Sequence, residues 1–192
     1  MLTGTKLRTA LAALVLATLI PAPLLPQGEA ASSATPIPRD QALQVFEQFK
    51  ALAGRWRGHS TKGWEGDSTY RVLARDSVVM STSEFDDAAG PGRGMVTMTH
   101  LDGDRLLLTH YCEARNQPRL MATAVEDNGR TVVFTFLDAT NLPSRDAGHM
   151  DKAVYRFEGP DQFRSRWTWY QKGQETWFED IVYTRVHEQS EP

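Results

Sequence analysis

"MVTMTHLDGDRLLLTHYC", residues 95–112, is the stretch from which the fold is read. Two runs with a period of two flank "LDGD", and Gly103 supplies the positive φ that a tight reversal needs, so the segment predicts an antiparallel β-hairpin. The even positions, Val96, Met98, His100, Leu106, Leu108, His110 and Cys112, are more apolar than Thr97, Thr99, Arg105, Thr109 and Tyr111. Successive side chains in a strand point to opposite faces, which makes the even set the expected inner face. A three-residue loop, Asp102 to Asp104, is consistent with this, because it pairs His100 with Leu106 and Val96 with His110. A two-residue loop would instead put the two histidines on opposite faces.

The same grammar extends from Arg55 to Val186. Short runs rich in Val, Thr, Phe, Trp and Tyr are separated by turns such as "EDNGR", "EGPDQ" and "QKGQ". Ten strands are predicted, at 55–62, 67–75, 77–85, 94–101, 105–113, 118–126, 130–138, 149–158, 162–171 and 174–186. The fold class is all-β. An open ten-stranded meander would leave two unpaired edges, so closure into an up-and-down antiparallel barrel is expected. The longer loops at 86–93 and 139–148 belong at a rim.

Ahead of the strands, Leu43, Phe46, Phe49 and Ala53 recur at helical spacing, with Asp40 placed to cap and Gly54 to stop one N-terminal amphipathic helix. Residues 31–39, "ASSATPIPR", read as a disordered linker, and 187–192 as a short tail. Lys6 and Arg8, the apolar run Ala10 to Ile20, and the small residues at "GEAASSA" have the order of a signal peptide cleaved after Ala30. Export to the periplasm or the extracellular space is expected, with no membrane span in the mature domain of 40–186. The chain has a net charge of −3 and no polybasic stripe, which argues against nucleic acid as a partner. One cysteine, Cys112, cannot make an intramolecular disulfide.

"LAGRWRG", residues 52–58, puts Gly54, Trp56 and Gly58 at the start of the first strand, directly after the helix. This pattern resembles the first strand of calycin barrels, the lipocalins, fatty-acid-binding proteins and above all nitrobindin-type proteins. "LTHYCEARNQPRL" is similar to bacterial exported barrels of this type. The resemblance implies that Arg185, in "IVYTRV", covers Trp56 at the closed end, and that the lumen binds a small apolar or amphipathic molecule. Haem, through His110 or His149, is the alternative that the nitrobindin-like pattern implies; no cofactor is required by the residues themselves. His187 lies beyond the last strand, where the haem-binding pattern offers no match.

Candidate lumen residues follow from alternation. His110 and Cys112 share the predicted inner face, with Cys112 read as wall. His100 lies roughly 13 Å along the ladder from His110, too far to share a metal whose ligands stand about 2 Å away. His149, Asp151 and Tyr155 form the more apolar face of "GHMDKAVYRF", and an imidazole beside a carboxylate admits a base role, so a small-molecule enzyme is a further alternative. Trp167 and Trp169 share a face with Phe163, and Arg119 or Arg166 could meet a carboxylate if inward. No metal site or nucleotide-binding glycine loop is found.

Overall fold

The computed structural model describes residues 34–85 and 94–187; the expected signal peptide, residues 31–33 of the expected linker, the 86–93 loop and the tail beyond His187 lie outside the described residues. Helix α1 (Arg39–Ala51) precedes ten strands: β1 (Gly54–Ser60), β2 (Glu65–Leu73), β3 (Val78–Phe85), β4 (Met95–Asp102), β5 (Arg105–Tyr111), β6 (Gln117–Glu126), β7 (Thr131–Thr140), β8 (His149–Gly159), β9 (Gln162–Gln171) and β10 (Gln174–Val186). Each strand pairs antiparallel with its neighbours in sequence, and β1 pairs with β10, so the sheet closes into a barrel. All ten expected strands are present.

Closure rests on a direct cross-strand pair, Trp56 opposite Arg185. The Trp56 ring is fully buried, and its indole N–H donates to the Leu52 carbonyl at 2.7 Å. Arg185 lies over that ring at 4.2 Å and donates to the carbonyls of Ala51, Ala53 and Pro160 at 2.7–2.9 Å. One guanidinium therefore ties the helix end and the β8–β9 turn by hydrogen bonds, and β1 by its contact with the Trp56 ring. The glycines around it have steric reasons. Gly54 has φ 128°, and a Cβ there would sit 2.9 Å from the Arg185 guanidinium; one at Gly58 would sit 3.0 Å from the Tyr183 ring.

Helix α1 stops this end of the barrel. It buries Ala42, Val45, Phe46 and Phe49, whereas Leu43 and Ala53, expected in the apolar stripe, are exposed. Phe49 sets its ring edge-on to Phe134, Tyr155 and Phe157 at 5.0–5.9 Å, a geometry that suits the aromatic quadrupoles. Pro38, not Asp40, occupies the N-cap position, and no side chain caps the helix. Residues 34–38, within the stretch read as a linker, are packed on the barrel: Ile37 is buried in the main core and its N–H donates to the Ala122 carbonyl. Ala34 packs on an outward cluster of Leu107, Met121 and Leu137.

The hairpin at 95–112 takes the two-residue register. Asp102 pairs with Arg105, His100 with Leu107 and Thr97 with His110, around a turn in which Gly103 has φ 59°. The three-residue loop is thereby corrected, and with it the inner face of β4. Thr97 and Thr99 are buried, while Val96, Met98 and His100 are only partly covered. The apolar-face rule failed because this lumen takes polar side chains and satisfies them internally, as Thr97 does with His110. Outside, the wall carries cross-strand ion pairs such as Arg57–Asp67, Arg166–Asp180 and Arg119–Asp138. No helix among the described residues is long and apolar enough to cross a membrane.

Replacing Arg185 with Gln should lower the unfolding free energy by about 2 kcal/mol, since it removes the cation over the ring and weakens charge-assisted hydrogen bonds. Urea denaturation checks this; a midpoint unchanged from the parent would show that the closure does not depend on Arg185.

Candidate functional site

Away from α1, the described side chains leave a cavity of about 30 Å³ in the lumen, room for two or three water molecules. Its wall is unlike an ordinary hydrophobic core. His110 enters from β5, Tyr155 from β8, Trp167 from β9, and Glu179 and Tyr183 from β10, while Trp64, Phe85 and Met95 stand toward the open end.

His110 is 3 % exposed. Its Nδ1 is 2.9 Å from the Thr97 hydroxyl, its ring packs on Trp167 at 4.7 Å, and its Nε2 is buried without a hydrogen-bond partner among the described residues. Burial disfavours the imidazolium and pulls the pKa down to about 4, so the ring is neutral at physiological pH. A neutral imidazole with one engaged nitrogen presents the other as a single donor or acceptor, according to tautomer. An orphaned buried polar atom costs about 1–3 kcal/mol, which a ligand able to pair with it would recover.

Glu179 faces the same cavity. One carboxylate oxygen accepts from the Ser60 hydroxyl and from the Trp64 indole, each at 2.5 Å. Tyr70, Tyr155 and Tyr183 complete the lower wall. Burial raises the pKa of all three phenols, that of Tyr183 to about 12, so they stay protonated hydrogen-bond donors.

Several candidate residues lie elsewhere. His149 and Asp151 do not line the cavity, and the reason is a β-bulge. Met150 pairs with Trp169 and Lys152 with Thr168, so the register slips at Asp151 and Met150 takes the inward place. β7 and β8 pair only from Thr131 to Thr135, and beyond that point the strands part. Arg145 fills the opening. Its guanidinium lies between the rings of Phe136 and Tyr170, at 4.2 and 4.0 Å, and donates to Asp151 and to Nε2 of His149. His149 Nδ1 in turn donates to the Ala147 carbonyl at 2.7 Å, so both ring nitrogens are engaged and the ring is fully buried. Burial acts to raise the Asp151 pKa, but the adjacent His149 ring and the hydrogen-bonded, charged Arg145 guanidinium outweigh it and hold the pKa down. This is a structural plug.

Arg119 points outward to Asp138, and Arg166 outward to Asp180, so neither reaches the lumen. Cys112 sits past the end of β5 in the turn to Asn116; burial pushes its thiol pKa up, which makes it a poor nucleophile. Trp169 stacks on Trp177 at 5.9 Å near the rim, where a Cβ on Gly148 would strike its ring. Tyr155 and Trp167 do line the cavity. Sequence reasoning passed over Glu179, although the inward Ile181 and Tyr183 share its parity and could have pointed to it.

A larger depression of about 530 Å³ lies on the outer wall, where Lys152 pairs with Glu175 and Arg166 with Asp180, and Glu126 is the lining charge without an ion pair among the described residues. The lumen is the stronger candidate because one of the buried polar atoms left unsatisfied among the described residues, His110 Nε2, belongs to a side chain that lines it. Among the described residues no three His, Cys, Asp or Glu side chains gather as a metal site requires.

No family model matches this chain, and no curated protein does. Solved structures do. A protein of unknown function of the DUF3598 family from Nostoc punctiforme is similar with a TM-score of 0.50 and 13 % identity, covering 72 % of this chain and 49 % of its own. This chain thus spans about half the length of that relative. Rv2717c from M. tuberculosis is similar with a TM-score of 0.54 and 15 % identity, over 76 % of this chain and 98 % of its own. At such identities the likeness extends to the barrel fold alone.

Proposed function

We propose that this is an exported, calycin-like binding barrel that takes a small amphipathic molecule at the open end of its lumen. The observation that carries the reading is His110 Nε2, buried, unpaired and lining the cavity. A polar end seated there would complete the hydrogen bonding, and an apolar remainder would lie toward Phe85 and Met95 at the mouth. The volume of about 30 Å³ restricts what enters the lumen itself to a headgroup, unless methionine side chains such as Met150 swing aside.

Haem, the cofactor alternative, does not fit this lumen. Drug-sized ligands occupy pockets of about 300–1,000 Å³, an order of magnitude more than the space beside His110. His149 has no free ring nitrogen to ligate iron. The same two bonds leave His149 unsuited to act as a base.

Two outcomes check the reading. A panel of four-carbon to eight-carbon amphiphiles should perturb the emission of the tryptophans at the cavity, and Ser81→Leu, which fills the space, should weaken the response at least tenfold. A response that survives in a variant with an unchanged melting temperature would place binding elsewhere. The second concerns His110. Its native pKa lies below the usual value of 6.5, so between those values the unfolded chain binds more protons and stability falls as the pH drops. Up to about 3 kcal/mol should be lost from pH 7 to pH 4 through this group. His110→Gln should flatten that part of the profile in denaturation series run across the pH range; an identical slope in both proteins would refute the assignment.

A further inference from the structure

We infer that the polar end of the ligand is an organic ammonium group, received between the Glu179 carboxylate and the aromatic faces of the lumen. The inference rests on the binding reading above and narrows its ligand class. Sign of charge is the first ground. Glu179 is only 9 % exposed and lines a cavity that no described lysine or arginine lines. Its two hydrogen-bond donors, the Ser60 hydroxyl and the Trp64 indole, are both neutral and both use the same oxygen. A buried carboxylate without a cation is costly, and a cationic ligand supplies what the wall withholds.

The aromatic lining agrees with this sign. Trp64, Tyr70, Phe85, Tyr155, Trp167 and Tyr183 surround the space, and aromatic faces carry negative quadrupole potential that attracts ammonium ions. His110, neutral by burial, adds no repulsion. When its Nδ1 proton is donated to Thr97, its Nε2 lone pair can accept an ammonium N–H. A carboxylate headgroup would meet Glu179 with no compensating cation. An alcohol would satisfy His110 and leave Glu179 unpaired.

Size sets the kind of amine. A cavity of about 30 Å³ admits a primary ammonium head with its N–H donors, whereas a quaternary head is bulkier and has none to give.

Isothermal titration of the full chain with n-butylammonium, n-butanol and butyrate separates the possibilities. Butylammonium should bind at least tenfold more tightly than butanol, and butyrate should not bind. In Glu179→Gln, whose amide oxygen can still accept from Ser60 and Trp64, the amine should lose at least tenfold while butanol stays within twofold. Equal affinity for amine and alcohol would overturn the ammonium assignment and leave the binding barrel standing, as would a preference for butyrate. Failure of all three to bind would overturn both. If the variant does not fold, the ranking of the three ligands on the unsubstituted chain decides the matter.

Discussion

The guanidinium of Arg185 lies against the indole of Trp56 and gives its N–H groups to three backbone carbonyls, two at the helix end and one in the β8–β9 turn. A meander has no edge problem only if its first and last strands find one another, and this contact sits where they do. Ala51 and Ala53 belong to the helix end and Pro160 to the β8–β9 turn, so the same contact sets where α1 leaves off and how it covers the barrel. The Trp56 ring then meets Phe163, which stacks on Tyr183, and the aromatic column continues toward the lumen. The position of the candidate site follows from this anchor through packed rings.

The strands were legible because their alternation is local and their turns carry glycine or other residues tolerant of positive φ. Trp56 and Arg185 were legible as a pair because they fall at the first and last strands of a recognisable pattern. What alternation could not supply was parity across an irregularity. Gly103 and Asp104 make a two-residue turn, and that one residue of difference from the expected loop turns Thr97 inward and His100 outward. The bulge at Asp151 has the same effect on β8, exchanging Asp151 for Met150 in the lumen. The plug at Arg145 depends on β7 and β8 separating, a long-range event with no local sequence signal. The direction of Arg119 and Arg166 depended on acidic partners across the sheet, Asp138 and Asp180.

Polar side chains are spread over both faces of this wall, with opposite character. Outside they are full charges in exposed cross-strand pairs, each worth little by itself. Inside they are mostly hydroxyls, an imidazole and one carboxylate, bonded to each other or left open to the cavity. Hydrophobicity alone therefore does not define which way a strand faces here. The interior is distinguished by pairing without formal positive charge.

Because α1 seats Phe46 and Phe49 into one end, the tube is a cul-de-sac. A molecule that enters must leave by the door it came through, past Trp64, Phe85 and Met95. Such a geometry cannot pass cargo from one side to the other. On the proposed reading, loading and unloading would share one route, an occupant would exclude its successor until it departed, and the side chains at that threshold would govern how long it stayed.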